Sequence, residues 1–247
     1  MSKKVQVLAV LALCGVMIGA TTNVDAATIS FRSGESAVTV LAGPTTTGFT
    51  SVFTAADFSD ARTGPAAQIV PSDSLNSSWL KSENFFDTDA KWINVTGVGT
   101  LPSGQHDPSG LYAVKIDNKY GYTENVTLVL YYAVDNQLGW TSPQGIKTDA
   151  VYLNGESIIA NLDTGFTEAT GAGLFGRQLE LRFSGLTLEK GENWIYLNAA
   201  NATNGAGSGG VSGIIFSGSF DFTPVPEPVT MGLLGLGGLA LLRRRTR

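Results

Sequence analysis

The chain has 247 residues, a formal net charge of −5, 43% hydrophobic residues and 15% charged ones, enough for one domain with a sizeable core once terminal signals are set aside. It holds one cysteine, Cys14, and one histidine, His106, which excludes intramolecular disulfides and any zinc site built from several Cys or His ligands. The acidic balance argues against nucleic acid as a partner, because that binding rests on neutralising phosphates.

Residues 1–26 begin Met1-Ser2-Lys3-Lys4, run apolar from Val5 to Ala20 and end in Val24-Asp25-Ala26. A charged start, an apolar run and a small-residue exit make a secretory signal peptide, with cleavage expected after Ala26. This removes Cys14, and with it thiolate catalysis, from the mature body. Residues 1–26 carry a net +1 and residues 225–247 a net +3, so the body between them carries −9.

Residues 27–223 show almost no helical periodicity; short alternating apolar runs among Gly, Thr, Ser and Asn indicate an all-β domain. An early strand is expected at Thr28–Arg32, followed by a loop-rich stretch over 42–73. Further strands are expected at Trp92–Val98, Leu111–Ile116 and Asn125–Val134, the last apolar on both faces and so central in its sheet. Ala150–Leu153 and Glu156–Ile159 flank Asn154-Gly155, a hairpin signal. In Gln178–Ser184, Leu179, Leu181 and Phe183 alternate with Glu180, Arg182 and Ser184, the pattern of a half-buried antiparallel strand. Asn193–Asn198 sets Trp194 and Tyr196 against Ile195 and Leu197. A Gly/Ser/Asn-rich loop over 202–210 precedes a last strand at Val211–Phe222, with a break expected near Gly218. Uneven strand lengths favour an antiparallel β-sandwich over a closed barrel.

Pro224, Pro226 and Pro228 lack an N–H and hold their predecessors extended, so this segment is a stiff, exposed peptide with one carboxylate, Glu227. Val229 to Leu242 carries no charge; at about 14 residues it is a short hydrophobic helix against the roughly 20 that span a bilayer, a deficit local thinning absorbs. Arg243, Arg244, Arg245 and Arg247 then form a membrane stop that stays cytoplasmic under the positive-inside bias.

Val225-Pro226-Glu227-Pro228, the Gly/Leu-rich run and the Arg cluster closely resemble the PEP-CTERM sorting signal of Gram-negative, exopolysaccharide-producing bacteria. The resemblance covers the last two dozen residues or so. It implies that an exosortase, a membrane cysteine transpeptidase, reads Val225, Pro226, Glu227 and Pro228 as recognition residues and cuts near them. It further implies a transient stay in the inner membrane through the 229–242 helix, then the cell surface or extracellular matrix. It implies no activity for the body. A second resemblance spans roughly residues 85–222. Tyr131 to Asn136, then Val151 to Gly155, then Leu186, Gly191-Glu192-Asn193 and Ile195, then Asn201, is similar to a galactose-binding-like jelly roll. That family includes many carbohydrate-binding modules, but a sugar-site signature is not recognisable here.

Sugar binding needs an exposed aromatic ring with polar side chains beside it. Trp140, with Asp135 and Asn136 upstream, is the candidate glycan site; a loop aromatic tucked over the sheet end is the alternative for Trp140. Trp79 also lies in a polar stretch, whereas Trp92 and Trp194 read as core. Asp87 and Asp89 are candidate ligands of a structural Ca²⁺, the one cofactor the sequence leaves room for, although no Asp-x-Asp-x-Asp-Gly loop accompanies them. His106 lies in a Pro/Gly-rich loop without a Gly-x-Ser-x-Gly elbow. Nothing in spacing selects a carboxylate pair for glycoside hydrolysis. No catalytic residue is assigned, and the protein is not expected to be an enzyme. The expected function is an exported, tail-sorted binding or structural module with polysaccharide as its ligand; a purely structural matrix protein and a divergent carbohydrate-active enzyme stay open.

Overall fold

A computed structural model describes residues 25–35, 37–102, 104–135, 137–141, 146–158, 174–201 and 210–224. Nearly all of the expected signal peptide, the 202–209 loop, Asn136 and everything from Val225 onward lie outside the described residues. The chain divides into two units, one running from Ala27 to Phe222 and the other made of Met1–Ala26 and Thr223–Arg247. Only the first is described beyond its edges.

Fourteen strands and one α-helix follow in order among the described residues. They are β1 (Ala27–Arg32), β2 (Val38–Ala42), α1 (Ala55–Thr63), β3 (Gln68–Ile69), β4 (Ile93–Asn94), β5 (Gly110–Asn118), β6 (Thr123–Asp135), β7 (Gln137–Leu138), β8 (Trp140–Thr141), β9 (Lys147–Thr148), β10 (Val151–Leu153), β11 (Glu156–Ser157), β12 (Leu179–Leu188), β13 (Gly191–Ala200) and β14 (Gly213–Phe222). One six-stranded sheet has the order β12-β6-β14-β4-β3, with β1 also on β14; the other has β11-β10-β13-β5-β2, with β7 also on β13. A small β8–β9 ribbon completes the set. All pairings between named strands are antiparallel.

Alternation builds the core between the sheets. From the first sheet come Phe31, Leu128, Leu130, Tyr132, Leu181, Phe216 and Phe220; from the second come Val38, Val40, Tyr112, Val114, Ile195 and Leu197. Each such side chain contributes about 1.5–3 kcal/mol when fully buried. β6 lies between β12 and β14, the central place its doubly apolar pattern required. The two outer faces are treated differently. That of the second sheet is covered by Phe53, Phe58 and Ala61 packing on Leu111, Ala113, Tyr152 and Tyr196. One part of the first sheet's outer face is covered by Trp79, Phe85 and Trp92 on Ala133 and Ile215; the described residues leave the part along β1 open.

Two asparagines tie the turns. Asn154 and Gly155 both take positive φ, 54° and 88°, as a two-residue hairpin between β10 and β11 requires. Asn154 Nδ2 donates to Asn193 Oδ1 at 2.9 Å, and the Trp194 N–H donates to Asn154 Oδ1 at 2.8 Å. Asn193 Nδ2 donates in turn to the Glu189 carbonyl at 2.8 Å. The Asn-Gly and Gly-x-Asn sequences that carry the jelly-roll resemblance thus cross-link two turns.

Three expectations are corrected. The 42–73 stretch contains α1, closed by a capping box: the Asp57 N–H donates to Thr54 Oγ1 at 3.4 Å, and the Thr54 N–H donates to Asp57 Oδ2 at 2.7 Å. The strand expected over Trp92–Val98 shrinks to Ile93–Asn94. β14 runs unbroken through Gly218, which pairs with Phe31. A Cβ there would lie 2.5 Å from the Phe31 ring, so the glycine seats an aromatic side chain and keeps the strand intact.

Candidate functional site

Trp140, the expected stacking platform, is 6% exposed and packs on Ala200. A Cβ on Gly48 would overlap its ring, so the 43–54 loop closes one face. Its Nε1 is buried without a hydrogen-bond partner. A sugar ring needs an open aromatic face, and Trp140 does not offer one; the tucked-in alternative describes its position. Trp79, also read from a polar stretch, is buried and stacks on Trp92 with centroids 4.2 Å apart. Trp194 sits half-buried on the outer face of β13, its indole donating to Glu192 Oε1 at 2.6 Å and Arg62 6.0 Å from its ring.

Asp135 ends β6 and is buried. The Trp79 indole N–H donates to its Oδ2 at 2.7 Å. Burial pushes its carboxyl up to about 6, the Trp79 bond opposes this, and the nearby charge of Asp107 adds to it. Asp107 is buried as well, accepting from Asn94 Nδ2 and the Ser212 N–H at 3.2 Å each and from the Thr96 hydroxyl. Burial raises its carboxyl too, against the bonds from Thr96 and Ser212. Ser212 Oγ donates to the Asp135 carbonyl at 2.9 Å. These contacts fasten the start of β14 to the end of β6 and to the loop before β5. Asp135 also walls a cavity of about 350 Å³ under Trp79, Leu101 and Val211. Asp107 was missed by sequence reasoning because burial, which gives it its role, leaves no local pattern. His106 Nδ1, the atom a catalytic carboxylate would orient, is buried with no partner.

Asp87 and Asp89, expected as Ca²⁺ ligands, face a cation of the chain itself. Arg32 Nη1 lies 3.0 Å from Asp89 Oδ2 and 3.4 Å from Asp87 Oδ1, and Arg32 Nε lies 3.0 Å from Glu35 Oε1. Among the described residues no group of three or more His, Cys, Asp or Glu side chains is placed to hold a metal.

That ion cluster stands at the rim of a groove of about 390 Å³ on the open outer face of the first sheet. Register sets its floor: Ser30 opposes Ser219, and Arg32 opposes Ser217. Ser217 in turn opposes Tyr131 on β6. Phe86 forms a wall, its ring stacked on Tyr131 with centroids 4.3 Å apart and 24° between planes. The Phe86 N–H donates to Gln178 Oε1 at 2.6 Å, which fixes where the ring stands. Phe86 is nonetheless 68% exposed. The sequence did not mark these residues as a site, because they come from five separate stretches that only the tertiary fold unites.

Among the described residues no helix is long and apolar enough to cross a membrane; the expected 229–242 helix lies outside them, as do Val225, Pro226, Glu227, Pro228, Arg243, Arg244 and Arg245. Residues 224–246 match the family model described as the PEP-CTERM protein-sorting motif. No curated protein matches the chain. The motif implies export, processing by an exosortase and sorting to the cell surface.

Proposed function

We propose that this protein is exported cargo whose PEP-CTERM segment hands it to an exosortase-type transpeptidase, and whose β-sandwich acts at the surface as a non-catalytic binding module for polysaccharide. The carrying observation is the motif at residues 224–246, beginning just past Phe222, where the compact unit ends. In this reading a cleaved N-terminal signal peptide starts export. The uncharged 229–242 run holds the precursor in the inner membrane of a Gram-negative-type cell, with Arg243 to Arg245 on the cytoplasmic side. Pro226, Glu227 and Pro228 are then read by the transpeptidase, and the product reaches the cell surface or matrix.

The galactose-binding-like jelly roll is the subtype we assign to the body, supported by its two antiparallel sheets and by the asparagine cross-links at its turns. A non-catalytic role is favoured because the two mutually interacting buried carboxylates, Asp107 and Asp135, are engaged in holding strands together. A resident Ca²⁺ is no part of the proposal, since Arg32 already supplies the positive charge between Asp87 and Asp89.

The test is processing in a host that carries an exosortase. Wild-type protein should appear shortened and leave the inner-membrane fraction. A triple variant, Pro226→Ala, Glu227→Ala, Pro228→Ala, should stay full-length in that fraction. Equal shortening and release of the two proteins would sink the sorting reading.

A further inference from the structure

We propose that the groove between β1, β14 and Phe86 binds a short stretch of uncharged glycan, with one pyranose ring lying on Phe86. The proposal rests on the reading of the body as a polysaccharide-binding module and names the site and the charge class of its ligand.

Three features of the groove point to that chemistry. The first is the ring of Phe86. One side of it is taken up by Tyr131, yet 68% of the residue is exposed. A lone exposed apolar side chain is ordinary. An exposed ring braced by a second aromatic and by a backbone bond to Gln178, standing at the wall of a cavity, is a prepared surface. The apolar C–H face of a pyranose matches a flat ring, and covering it removes apolar surface from water.

The second feature is the floor. Thr28, Ser30 and Ser219 bring short hydroxyl side chains to it: Thr28 and Ser219 donate to Asp221 and keep their oxygens as acceptors for sugar hydroxyls, Ser30 can donate and accept, and Ser217 lies buried beneath them. They leave a volume of about 390 Å³, at the small end of the roughly 300–1,000 Å³ of small-ligand sites. That suits a few sugar rings of a longer chain.

The third feature selects the charge class. The guanidinium of Arg32 is shared among Glu35, Asp87 and Asp89. Lys91, whose Nζ donates to the Thr88 carbonyl at 3.2 Å, adds a second positive charge, so two positive charges stand against three negative ones and the rim keeps a net negative charge. A uronate or other anionic polymer would meet repulsion from that net negative charge. An uncharged chain meets no such penalty, and Asp87 stays available as an acceptor for hydroxyls.

Full-length protein in detergent should be titrated with neutral laminarihexaose and cellohexaose, with anionic hexamannuronate, and with cationic chitosan hexamer. The expected result is binding of a neutral probe at least tenfold tighter than hexamannuronate. Phe86→Ala should weaken that binding at least tenfold with the melting temperature unchanged, because the ring is mostly outside the core. Ser30→Trp, which fills the groove from β1, should weaken it likewise. Neutral binding unaffected by both substitutions, or tighter binding of either charged probe, overturns this site assignment while leaving the module reading intact. No retention of any of the four probes overturns the module reading itself, and the site with it.

Discussion

Asp135 combines burial, a partner that favours its charged form and a neighbour that disfavours it, and its position at the end of β6 makes the balance testable. Its carboxyl is raised from 3.8 to about 6 in the folded protein, chiefly by burial, so the folded state holds its proton across a range where the unfolded chain has lost it. The contribution is therefore fully present below about pH 4 and is lost as pH rises through about 6. Asp135→Asn keeps an acceptor for the Trp79 indole and removes the titration. Between pH 4 and pH 7 wild type should lose on the order of 1–3 kcal/mol of stability that the variant does not lose. Urea unfolding across that range reads the difference, and parallel profiles for the two proteins would refute it. Trp140 shows how a single position misleads: a polar sequence neighbourhood marks a loop, yet Gly48, almost a hundred positions earlier, fills the space that would have left the ring open.

Strands with one buried face were readable because their period of two repeats the physical event of burial; Leu179 to Phe183 is the clearest case. The Asn154-Gly155 hairpin was readable because its positive φ values restrict which residues serve there. The helix α1 was not read, for a reason equally physical. Only Phe58 and Ala61 of its nine residues are buried, so no apolar stripe announces it. What did announce it was Thr54 with Asp57 three residues on, a capping box that uses Asp in place of the usual Glu or Gln. Thr54→Ala should therefore cost about 1 kcal/mol in a denaturant midpoint measurement, and Thr54→Ser should recover most of it. A silent Thr54→Ala would mean that packing of Phe58 on Tyr152 and Tyr196 alone holds the helix. The groove escaped sequence reading altogether, since its parts meet only through the pairing of β1 with β14 and of β14 with β6.

For the molecule as a unit, the tail and the body carry separate information. The sorting motif at residues 224–246 was readable, because a sorting signal has to be recognised as a linear peptide and keeps its meaning in the sequence. The body's proposed binding groove depends on register and on what the 70–92 segment covers, and neither is local. The sandwich begins at Ala27 and ends at Phe222, and these two residues are direct partners across β1 and β14. That pairing has a mechanical side. If, as proposed, the protein is held at its C-terminal side while its body grips a polysaccharide, the chain is pulled and the pull enters at Phe222. β14 is laddered to β6 from Gly213 to Asp221, and on its other edge to β1 from Ser217 to Phe222 and to β4 at Ile214. Tension along β14 must shear both ladders together, whereas tension entering at Ala27 meets a strand paired on one edge only among the described residues. With a second handle at Thr141, beyond the Asp135 end of β6, single-molecule pulling through residue 223 should need a higher rupture force than pulling through residue 27, and equal forces would contradict this. The strand that leads into the sorting signal is in this sense the one best placed to carry a tether.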